Sequence, residues 1–369
     1  MPALNELVEV FELFAPPSLA EPWDNAGMQV GNPGQNVERI LLSLNASPES
    51  IQEAAENKCS LLFTHHPLFF PGLTNIVAGS AVYDVLQVAF KNDISIYSAH
   101  TNLDKAGQGI NKVLADFFKL KNAKPLVDDT AFNKLVFFVP PDNSQEIIRE
   151  LSAAGAGVIG DYSSCSFRSE GKGTFVPALG AEPVAGEVGK FNQVKEERLE
   201  MLVHRSALSN VVERLLKVHP YEEVAYDVYP LDGVRKSHVG LGRIGDLAAS
   251  MKVSDIAGIF QKETASGVKF CGSPGAEIRR VAIVAGSGAS AIETAASKGA
   301  GLLITADVKY HEAQKAAALG LSLIVPSHYA MEKLALGIVA PLLADFLKSA
   351  GYSVDVINSK KESDVWFED

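Results

Sequence analysis

Apolar and polar positions along the chain fall into blocks that recur. Residues 39–66, "RILLSLNASPESIQEAAENKCSLLFTHH", open with a continuous apolar run, pass through a segment of small residues at helical spacing, and close on a second apolar run. This reads as buried strand, helix, buried strand. Residues 280–307, "RVAIVAGSGASAIETAASKGAGLLITAD", repeat the block without a gap. Ile40 aligns with Val281, Leu42 with Ile283, Ile51 with Ile292, Leu61-Leu62 with Leu302-Leu303 and Thr64 with Thr305. Each copy is followed by a further apolar strand, then a histidine, then an acid four residues on: "ISIYSAHTNLD" (94–104) and "SLIVPSHYAME" (322–332). Strands alternating with helices predict a mostly parallel α/β sheet, with the two copies as its two halves. At the N-terminus, Leu4, Leu7, Val8, Phe11 and Leu13 predict a short amphipathic helix stopped by Pro16-Pro17.

The pattern changes between the copies. "KLVFFVP" (134–140) reads as a strand and "NSQEIIRELSAAGAG" as a helix. "SSCSFRSEGKGTFVPA" reads as two strands turning at Gly171-Lys172-Gly173, "RLEMLVHR" as a strand, "ALSNVVERLLKVHP" as a helix and "EEVAYDVYPL" as a last strand. Apart from the extra strand at Gly171-Lys172-Gly173, this is the ferredoxin-like order βαββαβ. The expectation is a discontinuous α/β domain of two related halves, residues 1–129 and 234–369, carrying an inserted α+β domain at 130–233.

Composition narrows the function. The chain has 369 residues, 47% hydrophobic and 21% charged, with a net charge of −11. That acidity argues against a general nucleic-acid or membrane-surface binder. Cys59, Cys165 and Cys271 are far apart, which fits a reducing compartment rather than a disulfide framework. No stretch approaches the roughly 20 apolar residues of a membrane span. A cytoplasmic protein is expected.

The chemistry lies at strand ends, where α/β sheets bind ligands. In "FTHHPLFF" (63–70) two adjacent imidazoles meet a proline. Neighbouring side chains of a strand point apart, so His65 and His66 converge only if the strand stops there. His328 and Glu332 share one helix face, and His100 and Asp104 have the same spacing. Four histidines and two carboxylates exceed the needs of one tetrahedral ion, and their nitrogen–oxygen mix suits zinc, iron, manganese or cobalt. A dinuclear, hydrolase-like centre is expected, with a bridging hydroxide as nucleophile. His100 or His311 would shuttle the proton, and Lys105 or Lys309 would meet a phosphate. "GAGVIG" (155–160) and "GSGAS" (286–290) read as turns. His204 and His219 read as structural.

"EPWDNAGMQVG", "FTHHPLFF", "SAHTNLD", "ITADVKYHEAQKA" and "SHYAMEK" together resemble the Nif-three-like family, whose members often go by the name GTP cyclohydrolase 1 type 2 homolog. The insert resembles the PII-like domain of longer bacterial members. The resemblance implies a Nif-three-like fold and two divalent metal ions per chain. It implies His65, His66, Asp104, His328 and Glu332 as metal ligands, and a ring-shaped homohexamer. The chain departs from the family pattern at Ser327, Met331 and Ala306, none of them a ligand. Two functions stay open: a metal-dependent hydrolase acting on a nucleotide or related phosphate, and a non-catalytic regulatory or metal-handling protein whose insert senses a small molecule. No organic cofactor is expected.

Overall fold

A computed structural model describes residues 1–70, 73–128, 132–159, 162–231 and 239–366. The chain divides into two compact units, Met1–Asp128 with His238–Asp369, and Asp129–Ser237. The expected boundaries at 129/130 and 233/234 lie outside the described residues.

The first unit holds two sheets, not the single sheet expected from the repeat, because each parallel triplet is extended by its own antiparallel neighbours. One runs in the order β1 (Gly27–Val30), β4 (Ser95–Ser98), β3 (Leu61–Thr64), β2 (Arg39–Ser43), β15 (Asp355–Asn358). The other runs β11 (Val268–Cys271), β14 (Ser322–Pro326), β13 (Leu302–Ala306), β12 (Glu277–Ser287), β10 (Gly240–Lys252), β5 (Lys121–Asp128). β2, β3 and β4 are parallel, as are β12, β13 and β14. Each triplet is flanked by an antiparallel strand beside its last member, β1 on β4 and β11 on β14. The repeat in sequence is thus a repeat in topology.

Side chains leave a strand on alternating faces, and here both faces are buried. Ile40, Leu42, Phe63, Ile283, Ile304 and Ile324 belong to one large core. It also takes Met331, Leu336, Val339 and Leu343 of the helix His328–Ser349. The opposite faces, Leu41, Leu62 and Ile96 in one sheet and Ala282, Leu303 and Leu323 in the other, form separate cores under their own helices. Continuous apolar strands are what two covered faces require. The N-terminal helix spans Leu4–Phe14 and buries Leu4, Leu7, Val10, Phe11 and Phe14. Leu13, expected on that face, is exposed; the stripe from Leu4 passes through Phe11 and Phe14 instead.

The second unit is a four-stranded sheet in the order β7 (Ser166–Phe175), β8 (Asn192–His204), β6 (Phe132–Val139), β9 (Tyr226–Leu231), antiparallel throughout. The helices Ser144–Ala153 and Leu208–Val218 give the chain order βαββαβ. One expectation is corrected. Gly171-Lys172-Gly173 is no turn; β7 runs straight through it and pairs with the N-terminal part of β8. An exposed edge strand tolerates glycine because little packing is lost there. His219 bonds the Phe138 carbonyl through Nε2 (3.0 Å) and accepts from the Tyr221 amide. His204 stacks edge-on against Phe132. No helix among the described residues is long and apolar enough to cross a membrane.

Candidate metal centre

β3 ends at Thr64, whose hydroxyl bonds the His66 carbonyl (2.8 Å) and Ser98 Oγ (2.7 Å). The chain turns there, and the rings of His65 and His66 converge to 5.0 Å between centroids. β4 delivers His100, which stands at the N-terminus of the short helix Thr101–Lys105 carrying Asp104. β14 delivers Ser327, whose side chain caps the helix His328–Ser349, so that His328 and Glu332 lie one turn apart on it. Six side chains from three strand ends therefore meet. His65, His66 and His100 can present ligand atoms within 4.8 Å of one another, as can His66, His328 and Glu332.

Each of the four imidazoles is held from behind through Nδ1. His65 meets the Ala99 carbonyl (2.8 Å), His66 meets Asn45 Oδ1 (2.9 Å), His100 meets Asp24 (2.8 Å) and His328 meets Asp307 (2.6 Å). Such partners fix the ring and direct the other nitrogen to a metal. The two histidines in matching places of the repeat, His100 and His328, are the two held by carboxylates. Asp307 reaches its partner from a left-handed backbone (φ 52°), a conformation aspartate tolerates.

The inner atoms lack partners. His65 Nε2, His328 Nε2, Asp104 Oδ1 and Glu332 Oε2 are buried without a hydrogen bond among the described residues. His328 Nε2 and His66 Nε2 approach Glu332 Oε2 to 3.0 and 3.2 Å, but without the angles of a full set of hydrogen bonds. His65 Nε2 lies 3.8 Å from both Glu332 Oε1 and Asp104 Oδ1. The two oxygens of Glu332 thus face different histidines. Orphaned buried polar atoms cost about 1–3 kcal/mol each, and a cation among them would remove that cost. These residues fit divalent metal in number, type and orientation.

Electrostatics agree. Burial opposes protonation of His65, yet Glu332 and Asp104 outweigh it and hold its pKa up at about 9. The close approach of Glu332 raises His328 to about 9 as well, against burial and with help from Asp307. Burial raises Asp104 to about 6, with His65 pulling the other way. Burial also works against the charged form of Glu332, but His65, His328 and His66 hold it well below the usual carboxylate range. The cluster demands positive charge.

The other sequence candidates lie less centrally. Lys105 is ion-paired to Glu21 at 2.7 Å and largely buried. Lys309 is exposed at the start of the helix Tyr310–Ala318, two residues beyond Asp307. His311 is exposed and pairs its Nδ1 with Gln314 (3.0 Å). Sequence reasoning gave no role to Asp24 or Asn45. Asn45 could have been found, since it follows β2 at the same level as the other strand ends. In the repeat it mirrors Gly286, whose backbone (φ 61°) passes so close that a Cβ would lie 2.4 Å from Glu332 Oε1. The "GSGAS" turn therefore lines the site.

Two cavities adjoin the cluster. One, of about 610 Å³, is lined by Trp23, Asn25, Phe70 and Leu73; the Trp23 and Phe70 rings stand 6.0 and 5.8 Å from that of His100. The other, about 1010 Å³, includes Lys269, Asp307, His328 and Lys333.

A model of the family described as Duf34/NIF3 (NGG1p interacting factor 3) matches residues 2–364. A protein of Bacillus subtilis (strain 168) named GTP cyclohydrolase 1 type 2 homolog is 34% identical over 363 residues, 97% of this chain and 96% of its own. One of the same name from Halalkalibacterium halodurans is 36% identical over 361 residues, again 97% and 96%. The crystal structure of a Bacillus cereus protein related to NIF3 superposes with a TM-score of 0.80 at 35% identity, covering 100% of this chain and 99% of that one.

Proposed function

The chain belongs to the Duf34/NIF3 family, and from that premise we propose that it is a metal-dependent hydrolase acting on a nucleotide or related phosphate. Two divalent ions would be held by His65, His66, Asp104, His328 and Glu332, with His100 beside them. The observation that carries this reading is that the inner atoms of His65, His328, Asp104 and Glu332 are orphaned while the outer nitrogens of both histidines are engaged.

Bound metal would supply a Lewis acid and a water activated at neutral pH. The remaining work falls to the chain. Asp24 and Asp307 keep His100 and His328 oriented. Trp23 and Phe70 offer flat apolar walls beside His100, which suit a planar ring such as a purine base. Lys269, which lines the cavity on the His328 side, and Lys309, exposed two residues beyond Asp307, are the cations offered to a phosphate. His100, polarised by Asp24, is the side chain best placed to hold or release a proton at the cluster. The relatives' name makes hydrolytic opening of the imidazole ring of GTP, with loss of formate, the first reaction to test. The middle unit, with its βαββαβ order, is read as a PII-like module.

The experiment is metal reconstitution followed by a turnover screen over purine and pyrimidine nucleotides. Metal-dependent turnover that disappears in His328→Ala supports the proposal. A fully metallated protein inert toward every nucleotide and related phosphate would favour a metal-handling role.

A further inference from the structure

After β15 the chain crosses the ends of β2 and the helix His328–Ser349. Glu53, itself 5% exposed, fastens it by accepting from Ser359 Oγ (2.6 Å), the Lys360 amide (2.9 Å) and the Lys361 amide (3.1 Å). Asp364 accepts from Ser327 Oγ, and Tyr329 donates to the Glu362 carbonyl (2.7 Å). The Glu362 side chain is then only 3% exposed. It receives four donors: the Leu44 amide (2.9 Å), the Asn45 amide (2.6 Å), Asn45 Nδ2 (3.0 Å) and Lys333 Nζ (2.9 Å).

The pseudo-twofold shows what is unusual here. Leu44 mirrors Ala285, and the Ala285 amide is also held by a distant side chain, Asn111 Oδ1 (2.8 Å). Asn111 in turn donates to the Asp104 carbonyl (3.0 Å). Each post thus ties the end of one half's first strand to an acid-bearing helix of the other half. Asn111 reaches the helix of Asp104; Glu362 reaches Lys333, next to Glu332. A neutral amide suffices at Ala285, where the following residue, Gly286, has no side chain to orient. The charged post stands where the following residue is Asn45.

We infer that Glu362 is a positioning residue of the metal centre, setting the tautomer and direction of His66 through Asn45. An amide can turn either its oxygen or its nitrogen toward an imidazole. Glu362 draws Asn45 Nδ2 to itself, so Oδ1 faces His66 and accepts from Nδ1–H. His66 then presents the bare Nε2 that ligation requires. With the amide reversed, Nδ1 would accept, the proton would sit on Nε2, and His66 could not bind metal.

The inference rests on the metal-centre reading above, and its test separates the two. Metal affinity and the visible spectrum of the Co(II)-loaded protein are measured for wild type, Glu362→Ala, Asn45→Ala and the double variant, with folding checked by circular dichroism. Each single variant should lose about 10–100-fold in affinity, the range of supporting groups, and shift the Co(II) bands. The double variant should lose no more than the worse single one, because Glu362 acts through Asn45. Glu362→Gln, which keeps the shape but replaces one of the two acceptor oxygens with a donor facing either the Leu44 or the Asn45 amide, replaces the alanine variant if that one does not fold. Unchanged affinity and spectrum in a folded Glu362 variant, or losses that multiply in the double variant, would overturn the inference alone. A wild type that binds no Co(II) would remove the site reading with it.

Discussion

Glu332 faces three imidazoles from a position 3% exposed. Its replacement by alanine should reduce metal affinity by more than the 10–100-fold typical of supporting groups, while the circular dichroism of the fold persists, because the strands rest on apolar cores. Retention of wild-type affinity in Glu332→Ala would remove it from the ligand set. Gly286→Ala tests the cramped wall opposite. A Cβ there meets the carboxylate at 2.4 Å on a left-handed backbone, so stability should drop by about 1–3 kcal/mol in a urea melt and metal should bind more weakly. A melt and affinity equal to wild type would mean the wall is not tight. At this scale the chain was partly legible. His65, His66, Asp104, His328 and Glu332 stand at strand ends that their apolar runs mark, and the structure brings them together. Asp24 and Glu362 act through hydrogen bonds spanning 76 and 317 residues of sequence, and no local pattern records such a bond; Asn45 had a signal only in its place just after β2.

Elements position the site by pairing the two halves. Asn111 on the helix Ile110–Phe117 is fully buried and joins Asp104 to β12. Asn111→Ala strands a buried amide and a buried carbonyl, each worth about 1–3 kcal/mol. Its denaturant midpoint should fall accordingly, without a change in the slope that would signal a different fold. A loss under 0.5 kcal/mol, within the about ±0.5 expected of a neutral surface change, would mean that water or the backbone replaces it. The central strands were legible because both faces are buried and the apolar runs are unbroken. β7 was not, because an exposed edge strand carries little hydrophobic signal and its glycines mimic a turn. The N-terminal helix was legible as an element, but not in which side of Phe11 its stripe passes.

Across the whole molecule, the sheets of the first unit rest on apolar cores and not on the site, so chelation should lower the melting temperature while leaving the fold intact. A ligand at hundredfold excess over its Kd contributes about 2.7 kcal/mol, and that is the scale of loss expected on adding chelator. Cooperative unfolding on chelation alone would contradict this. The division into two units leads to a second expectation. A chain joining residues 1–128 to 239–366 through a flexible linker should fold and still take up metal; failure with every linker length would show that the middle unit supports the site. The repeat in sequence made the parallel triplets β2-β3-β4 and β12-β13-β14 legible, since matching strand–helix–strand blocks leave few arrangements, but not that each triplet heads its own sheet or that β1, β5, β10, β11 and β15 complete the two sheets. Which faces of the two halves meet was not legible, because that depends on long-range packing of the helix His328–Ser349. The most direct measurement is a crystal structure of the metal-reconstituted protein with anomalous scattering recorded at the metal edge. The account predicts two peaks per chain among His65, His66, Asp104, His328 and Glu332, with Glu332 between them. No peak there, or metal bound only elsewhere on the chain, would contradict it.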